Sequence, residues 1–383
     1  MTTQAEIVRD DHAGRRLKVL HVFKTYPPDT FGGIERVIHG IIRFGRAFGI
    51  DGEVFTVSPS PEPAEIDFDS VRVFRARQDA FVASTGLSLS AFRRFRDRVS
   101  QADVIHYHFP WPFMDLLHLA HGRGRPAIVT YHSDIVRQSG LLALYRPLMM
   151  RFLALQSAIV ATSPNYIETS PVLRQFPLVT EVVPIGIDAD PGSIDAALRT
   201  SFAVRLPPRF FLFVGVLRYY KGVSFLIEAA RQSGLPIVLV GDGEERAAIE
   251  RAGLPNLHMV GAVGDAEKTV LLDLCCGFIF PSHLRSEAFG VALLEAARAG
   301  RPMISCAMGT GTDYVNIDGE TGITVPPADP PALASAMTRI WDNAELAAAM
   351  GRAARERFEA LFRAERMAGA YASIYRRVAK APG

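Results

Sequence analysis

Cysteine, lysine and long apolar runs are all scarce in this sequence. Cys275, Cys276 and Cys306 are the only cysteines in 383 residues. They cannot build a disulfide framework, and adjacent cysteines rarely bridge one another, so the chain suits a reducing cytosol. Their spacing is not that of a zinc site either. No uncharged apolar run reaches the ~18 residues that span a bilayer. Met1 to Lys18 carries Asp10, Asp11, Arg15, Arg16 and Lys18 without an apolar core, unlike a signal or transit peptide. The expectation is a cytoplasmic protein, with membrane contact limited to a peripheral one at the inner face of the plasma membrane. An excess of one charge is missing as well: 42 basic against 40 acidic residues leave +2. That is too balanced for an affinity resting on nucleic-acid phosphates, so no nucleic-acid partner is expected. Eight of the ten histidines lie before residue 186.

What is present is ordinary globular material, 49% apolar and 21% charged, in a length that suits two to three domains of ~150 residues. Short β-branched or aromatic runs alternate with amphipathic stretches, the pattern of parallel sheets covered by helices. Strands are expected from Leu17 to Phe23, at Glu53 to Val57, Val71 to Phe74, Asp103 to His108, Ala127 to Tyr131, Ala158 to Ala161 and Glu181 to Pro184. The periodicity fades from Asp188 to Pro208, which reads as a linker. A second series starts at Phe210, and after Pro330 the chain reads as helical to its end. The fold class is α/β: two Rossmann-like domains facing across a cleft, residues 1–187 and 188–364, with a last helix at about 365–383 packing back on the first.

The richest segment is Phe213-Val-Gly215-Val-Leu-Arg218-Tyr-Tyr-Lys221-Gly222. A strand ends at Gly215, and two cations three residues apart occupy the turn that opens the next helix. Helix N-termini favour anions, and Arg plus Lys add charge-assisted contacts suited to a diphosphate. With five lysines in the chain, the position of one is informative. In a second segment, Glu287 precedes the helix that Gly290 begins, after Phe289, and Glu295 follows two turns on. The two carboxylates fall on nearly one face and suit recognition of paired hydroxyls; an unpartnered Glu295 would be costly among Val-Ala-Leu-Leu-Glu-Ala-Ala. In a third, Gly32-Gly33 enters a helix after the first strand, where a backbone can approach a ligand closely.

His106, His108 and His132 sit at strand ends, on the edge where ligands bind in open α/β sheets. A metal site there lacks an acid or cysteine to complete it. His132 is read as a polar contact in the cleft and His106 as a core histidine; His108 is left open. Asp67-Phe-Asp69 and Asp188-Ala-Asp190 follow no long apolar strand, so no metal ligand is assigned and no cofactor is expected.

In this order the segments resemble the retaining glycosyltransferases of family GT4, of the GT-B fold. Their carriers are Gly32-Gly33-Ile-Glu35, His132 in Tyr-His-Ser-Asp, Pro184-Ile-Gly-Ile-Asp188, Phe213 to Gly222, Gly241-Asp-Gly243, Glu287 with Glu295, and Thr321 to Asp329. The resemblance implies that Arg218 and Lys221 hold the donor diphosphate, Glu287 the sugar hydroxyls and Glu295 the ribose hydroxyls. It further places Gly32-Gly33 against the phosphates, His132 by the sugar ring and the backbone from Gly261 to Val263 by the base, without a metal. Two segments depart from the family pattern: Pro-Ile-Gly-Ile-Asp replaces Pro-Asn-Gly-Val-Asp, and Gly309-Thr-Gly311-Thr-Asp313 replaces Gly-Gly-x-x-Glu beside the donor sugar. Tyr-His-Ser-Asp-Ile-Val-Arg-Gln, Leu-Arg-Tyr-Tyr-Lys-Gly and Gly-Thr-Gly-Thr are similar to bacterial mannosyl- and rhamnosyltransferases of surface-polysaccharide assembly.

The expected partners are therefore a nucleotide diphosphate sugar, GDP-mannose or a GDP-deoxyhexose, and a glycan or lipid-linked acceptor. The alternatives are a UDP-sugar-dependent transferase, a nucleotide-sugar epimerase or a non-catalytic nucleotide-binding module. Arg93-Arg94-Phe-Arg96-Asp-Arg98 and Leu141 to Leu153 mix basic and apolar residues as interfacial helices do. A packed helix with snorkelling arginines has the same composition.

Overall fold

The computed structural model describes residues 15–82, 85–135 and 139–380. The first sheet uses β1 (Leu17–Val22), β2 (Ile50–Ser58), β3 (Glu65–Phe68) and β4 (Val71–Arg77). After a small hairpin, β5 (Ala80–Val82) with β6 (Thr85–Leu87), it continues with β7 (Val104–Phe109), β8 (Ala127–Tyr131), β9 (Ala158–Ala161) and β10 (Thr180–Val182). Its order is β10-β9-β8-β7-β1-β2-β4-β3, and only β3 runs antiparallel to its neighbour. The second sheet, β11 (Phe211–Val214), β12 (Ile237–Val240), β13 (Leu257–Gly261), β14 (Gly277–Phe280), β15 (Met303–Cys306) and β16 (Gly322–Val325), is parallel in the order β13-β12-β11-β14-β15-β16. The strands read as continuous apolar runs because helices cover both faces; every residue of β7, β8 and β14 is buried.

Each sheet reverses its strand order once, between β1 and β7 and between β11 and β14. Such switch points open a crevice beyond the carboxyl ends of the strands. All three segments singled out above follow β1, β11 or β14. The two halves meet where the chain crosses twice. Ile187 N donates to Phe362 O at 3.0 Å, and Ala364 N donates to Ile187 O at 2.9 Å. The last helix, Ala364–Lys380, then lies along the helix Gly33–Gly45, with Met367 against Gly40 and Gly369 against Phe48.

The apparent linker holds a helix, Ala196–Arg205, which the fading periodicity concealed. Only Phe202 of it is buried, so it has no apolar stripe; its start is fixed by Asp195, whose carboxylate accepts from Ala197 N and Leu198 N at 2.8 and 3.0 Å. Among the described residues no helix is long and apolar enough to cross a membrane. The basic run at 93–98 lies on the helix Leu89–Val99, which buries Ala91, Phe95 and Val99 and exposes Arg93 and Arg96. The second mixed segment lies on the helix Ser139–Ala154, which buries Met149, Phe152 and Leu153 and leaves Leu144 82% exposed. Val136, Arg137 and Gln138, the end of Tyr-His-Ser-Asp-Ile-Val-Arg-Gln, lie outside the described residues.

Candidate active site

Beyond β11 the backbone is pinned before it reaches the cations. Gly215 N donates to Val240 O at 3.0 Å, Leu217 N donates to Asp242 O at 2.9 Å, and the Leu217 side chain is buried. Arg218 is thereby turned outward, and Tyr219–Lys221 form one 3₁₀ turn closed by Gly222 in the left-handed conformation, φ 72°. A Cβ on Gly222 would sit 2.0 Å from Pro281 O, so the loops after β11 and β14 touch backbone to backbone and only glycine fits. This contact brings Lys221 Nζ to 2.5 Å from Glu287 Oε2, which also accepts from Ser282 Oγ at 3.4 Å. Oε1 of Glu287 has no protein partner among the described residues.

Glu287 and Glu295 each take their own cation. Glu295 lies in the helix Val291–Arg298, whose N-cap is Gly290, and its Oε1 meets Lys268 Nζ at 2.6 Å and Arg36 at 3.6 Å. Arg36 belongs to the opposite domain and also pairs with Asp265 at 3.2 Å, as Lys268 does at 2.9 Å. This cluster lines an interdomain cavity of about 360 Å³, together with Glu35, Phe31 and Val291. Arg218, Lys221 and Glu287 are not among the residues lining that cavity.

On the facing domain the glycine pair starts the helix Gly33–Gly45. A Cβ on Gly32 would strike the Glu35 carboxylate at 2.4 Å, whereas one on Gly33 would rest 3.8 Å from Val291, so the Gly-Gly turn lies against the first turn of the Glu295 helix. Glu35 is buried and accepts from Thr25 Oγ1 and Thr30 Oγ1 at 2.9 and 2.7 Å. Just before it, at the end of β1, stands Lys24. Burial lowers the Lys24 ammonium below its usual value, Glu35 opposes that shift, and Arg218 from across the cleft adds to it. Two cations from opposite domains therefore act on each other. Arg218 has no carboxylate partner of its own among the described residues.

His132 follows β8 and is buried, 5% exposed. Its Nε2 meets His108 Nδ1 at 3.0 Å, and His108 Nε2 meets His21 Nδ1 at 3.1 Å. His106 stands beside this row, bonded to Tyr375 OH and Thr130 Oγ1 at 2.7 Å each. Burial pushes His21 and His132 down to about 3; burial, then His21 and His132, hold His106 well below the ordinary value, and burial, then His106, His132 and His21, do the same to His108. Nitrogens of His21, His106 and His108 come within 4.8 Å of one another. Of their six, all but His21 Nε2 are already hydrogen-bonded, so the cluster is a hydrogen-bond network rather than a ready ligand set.

The remaining expected residues fall around this centre. Phe289 is 4% exposed and packs edge-on to Phe362, with Gly311 tight against its ring. Val263, half-buried beyond β13, joins the main apolar cluster. The loop at Gly309 to Asp313 is closed on itself by Asp313, which accepts from Met308 N and Gly309 N at 3.1 and 2.5 Å. Arg285 ties it to the first domain: its guanidinium donates to Met308 O at 3.1 Å and to Thr169 Oγ1 at 3.0 Å, and stacks on Tyr166. The sequence reading missed Lys24, Arg36, Lys268, Arg285 and His21. Lys24 carried a usable signal, as one of five lysines at the carboxyl end of the first strand.

Residues 31–191 match the family profile Glycosyltransferase Family 4, and residues 196–357 match Glycosyl transferases group 1. The chain is 50% identical to the D-rhamnosyltransferase WbpZ of Pseudomonas aeruginosa, over 91% of this chain and 93% of that one. It is 45% identical to the O-antigen chain mannosyltransferase C of Escherichia coli, over 94% and 98%. Among solved structures it resembles the sucrose-phosphate synthase of Thermosynechococcus elongatus, with a TM-score of 0.75, 21% identity and coverage of 94% and 99%. Anabaena HepE in complex with UDP gives 0.74 at 17% identity, over 94% and 100%, a likeness of fold. With both domains matched and half of the residues shared along nearly the whole chain, the protein belongs to the family 4 glycosyltransferases and is a glycosyltransferase of GT-B fold.

Proposed function

We propose that the chain moves a mannose-configured hexose from a GDP-linked donor to a hydroxyl of a glycan or lipid-linked glycan, with retention of anomeric configuration. The observation that carries this reading is the contact of Lys221 with Glu287 beyond β11 and β14, with exposed Arg218 three residues before Lys221 and without a carboxylate partner among the described residues. Cations gathered at one turn suit an anion, and a diphosphate is that anion; Lys24, whose ammonium Arg218 lowers, adds a cation from the first domain. As a leaving group it gains charge in the transition state, where preplaced cations count most. Among the described residues Glu287 and Glu295 each keep one oxygen without a protein partner, for sugar and ribose hydroxyls respectively. Since both carboxylates are already ion-paired, neither is a ready nucleophile. The acceptor oxygen then bonds to the anomeric carbon on the face from which the phosphate departs, and the departing phosphate takes the acceptor's proton.

The named relatives act with D-rhamnose and mannose, sugars of one ring configuration that differ at the sixth carbon, which supports a pocket indifferent to that position. Exposed Arg93, Arg96, Leu89 and Leu144 supply basic and apolar groups for a peripheral contact with an anionic membrane, which liposome flotation reads directly. The donor is tested by a thermal-shift screen of GDP, UDP, ADP and their sugars. A ligand at a hundred times its Kd adds about 2.7 kcal/mol of stability. GDP and GDP-mannose are expected to raise the midpoint by several degrees and the others little; a larger shift with UDP-sugars overturns the choice of donor.

A further inference from the structure

The row of imidazoles behind the cleft is more than core filling. His21 on β1 stands opposite His106 on β7, His108 is two residues further along β7, and His132 lies just past the end of β8. His21, His108 and His132 therefore run diagonally across three adjacent parallel strands, from the interior of the sheet to its carboxyl edge. Ring centroids are 5.4 Å apart for His21 and His108 and 5.3 Å for His108 and His132, with planes tilted by 18° and 23°.

A neutral imidazole carries one N–H and one lone pair. Both links of the row are single hydrogen bonds between ring nitrogens, so each needs one donor and one acceptor. The three rings must then share one tautomer: either all protonated on Nδ1 or all on Nε2. A mixed row sets two N–H groups or two lone pairs against each other. The far end decides between the two. Among the described residues His21 Nε2 is buried without a partner. In the all-Nε2–H row it would be a buried N–H with no acceptor, the rarer and costlier kind of orphan; in the all-Nδ1–H row it is only an unused lone pair.

We infer that His21 and His108 are positioning residues that hold His132 as its Nδ1–H tautomer, so that the ring presents a fixed hydrogen-bond donor, not an acceptor, from the nitrogen outside the row. This rests on the proposed function and on the place beside the donor sugar that the family resemblance implies for His132. A neutral donor there would bind a sugar oxygen without adding a charge that competes with the cations holding the diphosphate. It would also discriminate: a hydroxyl or ring oxygen able to accept is matched, and a group that can only donate is rejected.

The test is long-range ¹H–¹⁵N correlation on the full chain labelled with ¹⁵N-histidine, without substrate, at neutral pH. A free histidine side chain prefers the Nε2–H form, so Nδ1–H at His132 is itself the signature of the row. The expected spectrum has His21, His108 and His132 all protonated on Nδ1. His108→Phe keeps a ring in place but removes both links, and His132 should lose its uniform Nδ1–H state. His108→Gln, whose amide N–H can donate to His132 Nε2, should restore it. Thermal melts separate these outcomes from misfolding: if His108→Phe fails to fold, the unvaried spectrum and His108→Gln still decide. His132 found as Nε2–H in the unvaried protein, or unchanged in a folded His108→Phe, overturns the inference. Because the spectrum needs no turnover, an inactive protein with three Nδ1–H rings would refute the transfer reading alone.

Discussion

Replacing Lys221 by alanine is expected to lower kcat by about two to three orders of magnitude, measured as nucleoside diphosphate released at saturating donor. The size follows from the role: one preplaced donor aimed at developing charge is worth ~3–4 kcal/mol in the transition state. On the proposed placement of the diphosphate the ground state loses less, because Arg218 and Lys24 remain to hold it, so KM should move far less than kcat. Folding is the competing explanation and is separable. The Lys221–Glu287 pair is partly buried, with side chains 13% and 15% exposed, so its loss leaves Glu287 uncompensated. The variant Lys221→Ala/Glu287→Gln removes that stray charge and should recover the melting midpoint without recovering kcat. Near-normal turnover in Lys221→Ala would place the leaving group elsewhere.

Acidification should unfold the first domain well before its carboxylates are titrated. His21, His106, His108 and His132 are buried and uncharged, with folded values of about 3 for His21 and His132 and far below the ordinary value for the other two. In the unfolded chain each takes a proton near pH 6.5. Between those limits the unfolded state binds more protons, so stability is fully present above about pH 6.5 and falls as pH falls towards 3. The slope is ~1.4 kcal/mol per histidine per pH unit. Four such groups together rival a domain's entire stability of ~5–15 kcal/mol within two pH units. The measurement is the thermal midpoint from pH 7.5 to 4.5, expected to drop steeply below 6.5, with His21→Phe flattening the curve by about one histidine's share. A midpoint that stays level to pH 5 would contradict the buried neutral state of the row.

The legible parts of the site were those written in one loop. Gly215 to Gly222 and Pro281 to Gly290 each follow a strand, and the carboxyl ends of parallel strands at a switch point are where ligands bind. Arg218, Lys221 and Glu287 were therefore singled out from local pattern alone, although nothing in either loop announces that Gly222 and Pro281 touch or that Lys221 meets Glu287. The illegible parts join distant segments. Glu295 reads as an unpartnered acid in an apolar helix, and its partners lie 27 residues away at Lys268 and in the other domain at Arg36. Arg285 and Thr169 meet only because the domains close over each other. His21 was overlooked because a single histidine in Leu-Lys-Val-Leu-His-Val has no local partner; its meaning comes from the register that sets it opposite His106. The small strands β3, β5 and β6 escaped notice for a different reason: all are short, β3 and β5 are largely exposed, and Thr-Gly-Leu of β6 has no apolar alternation to mark it.

The central claim is that cations from both domains grip one diphosphate, and a double-mutant cycle on binding tests it most directly. The ligand is the nucleoside diphosphate giving the largest thermal shift, titrated calorimetrically beside its nucleoside. Lys24→Ala and Arg218→Ala are each expected to weaken the diphosphate by about 10- to 100-fold, the ~1.5–3 kcal/mol of a hydrogen bond to a charged group. Neither should affect the nucleoside, and the double variant should depart from additivity because both side chains act on one anion. Diphosphate affinities unchanged in both single variants would contradict the account.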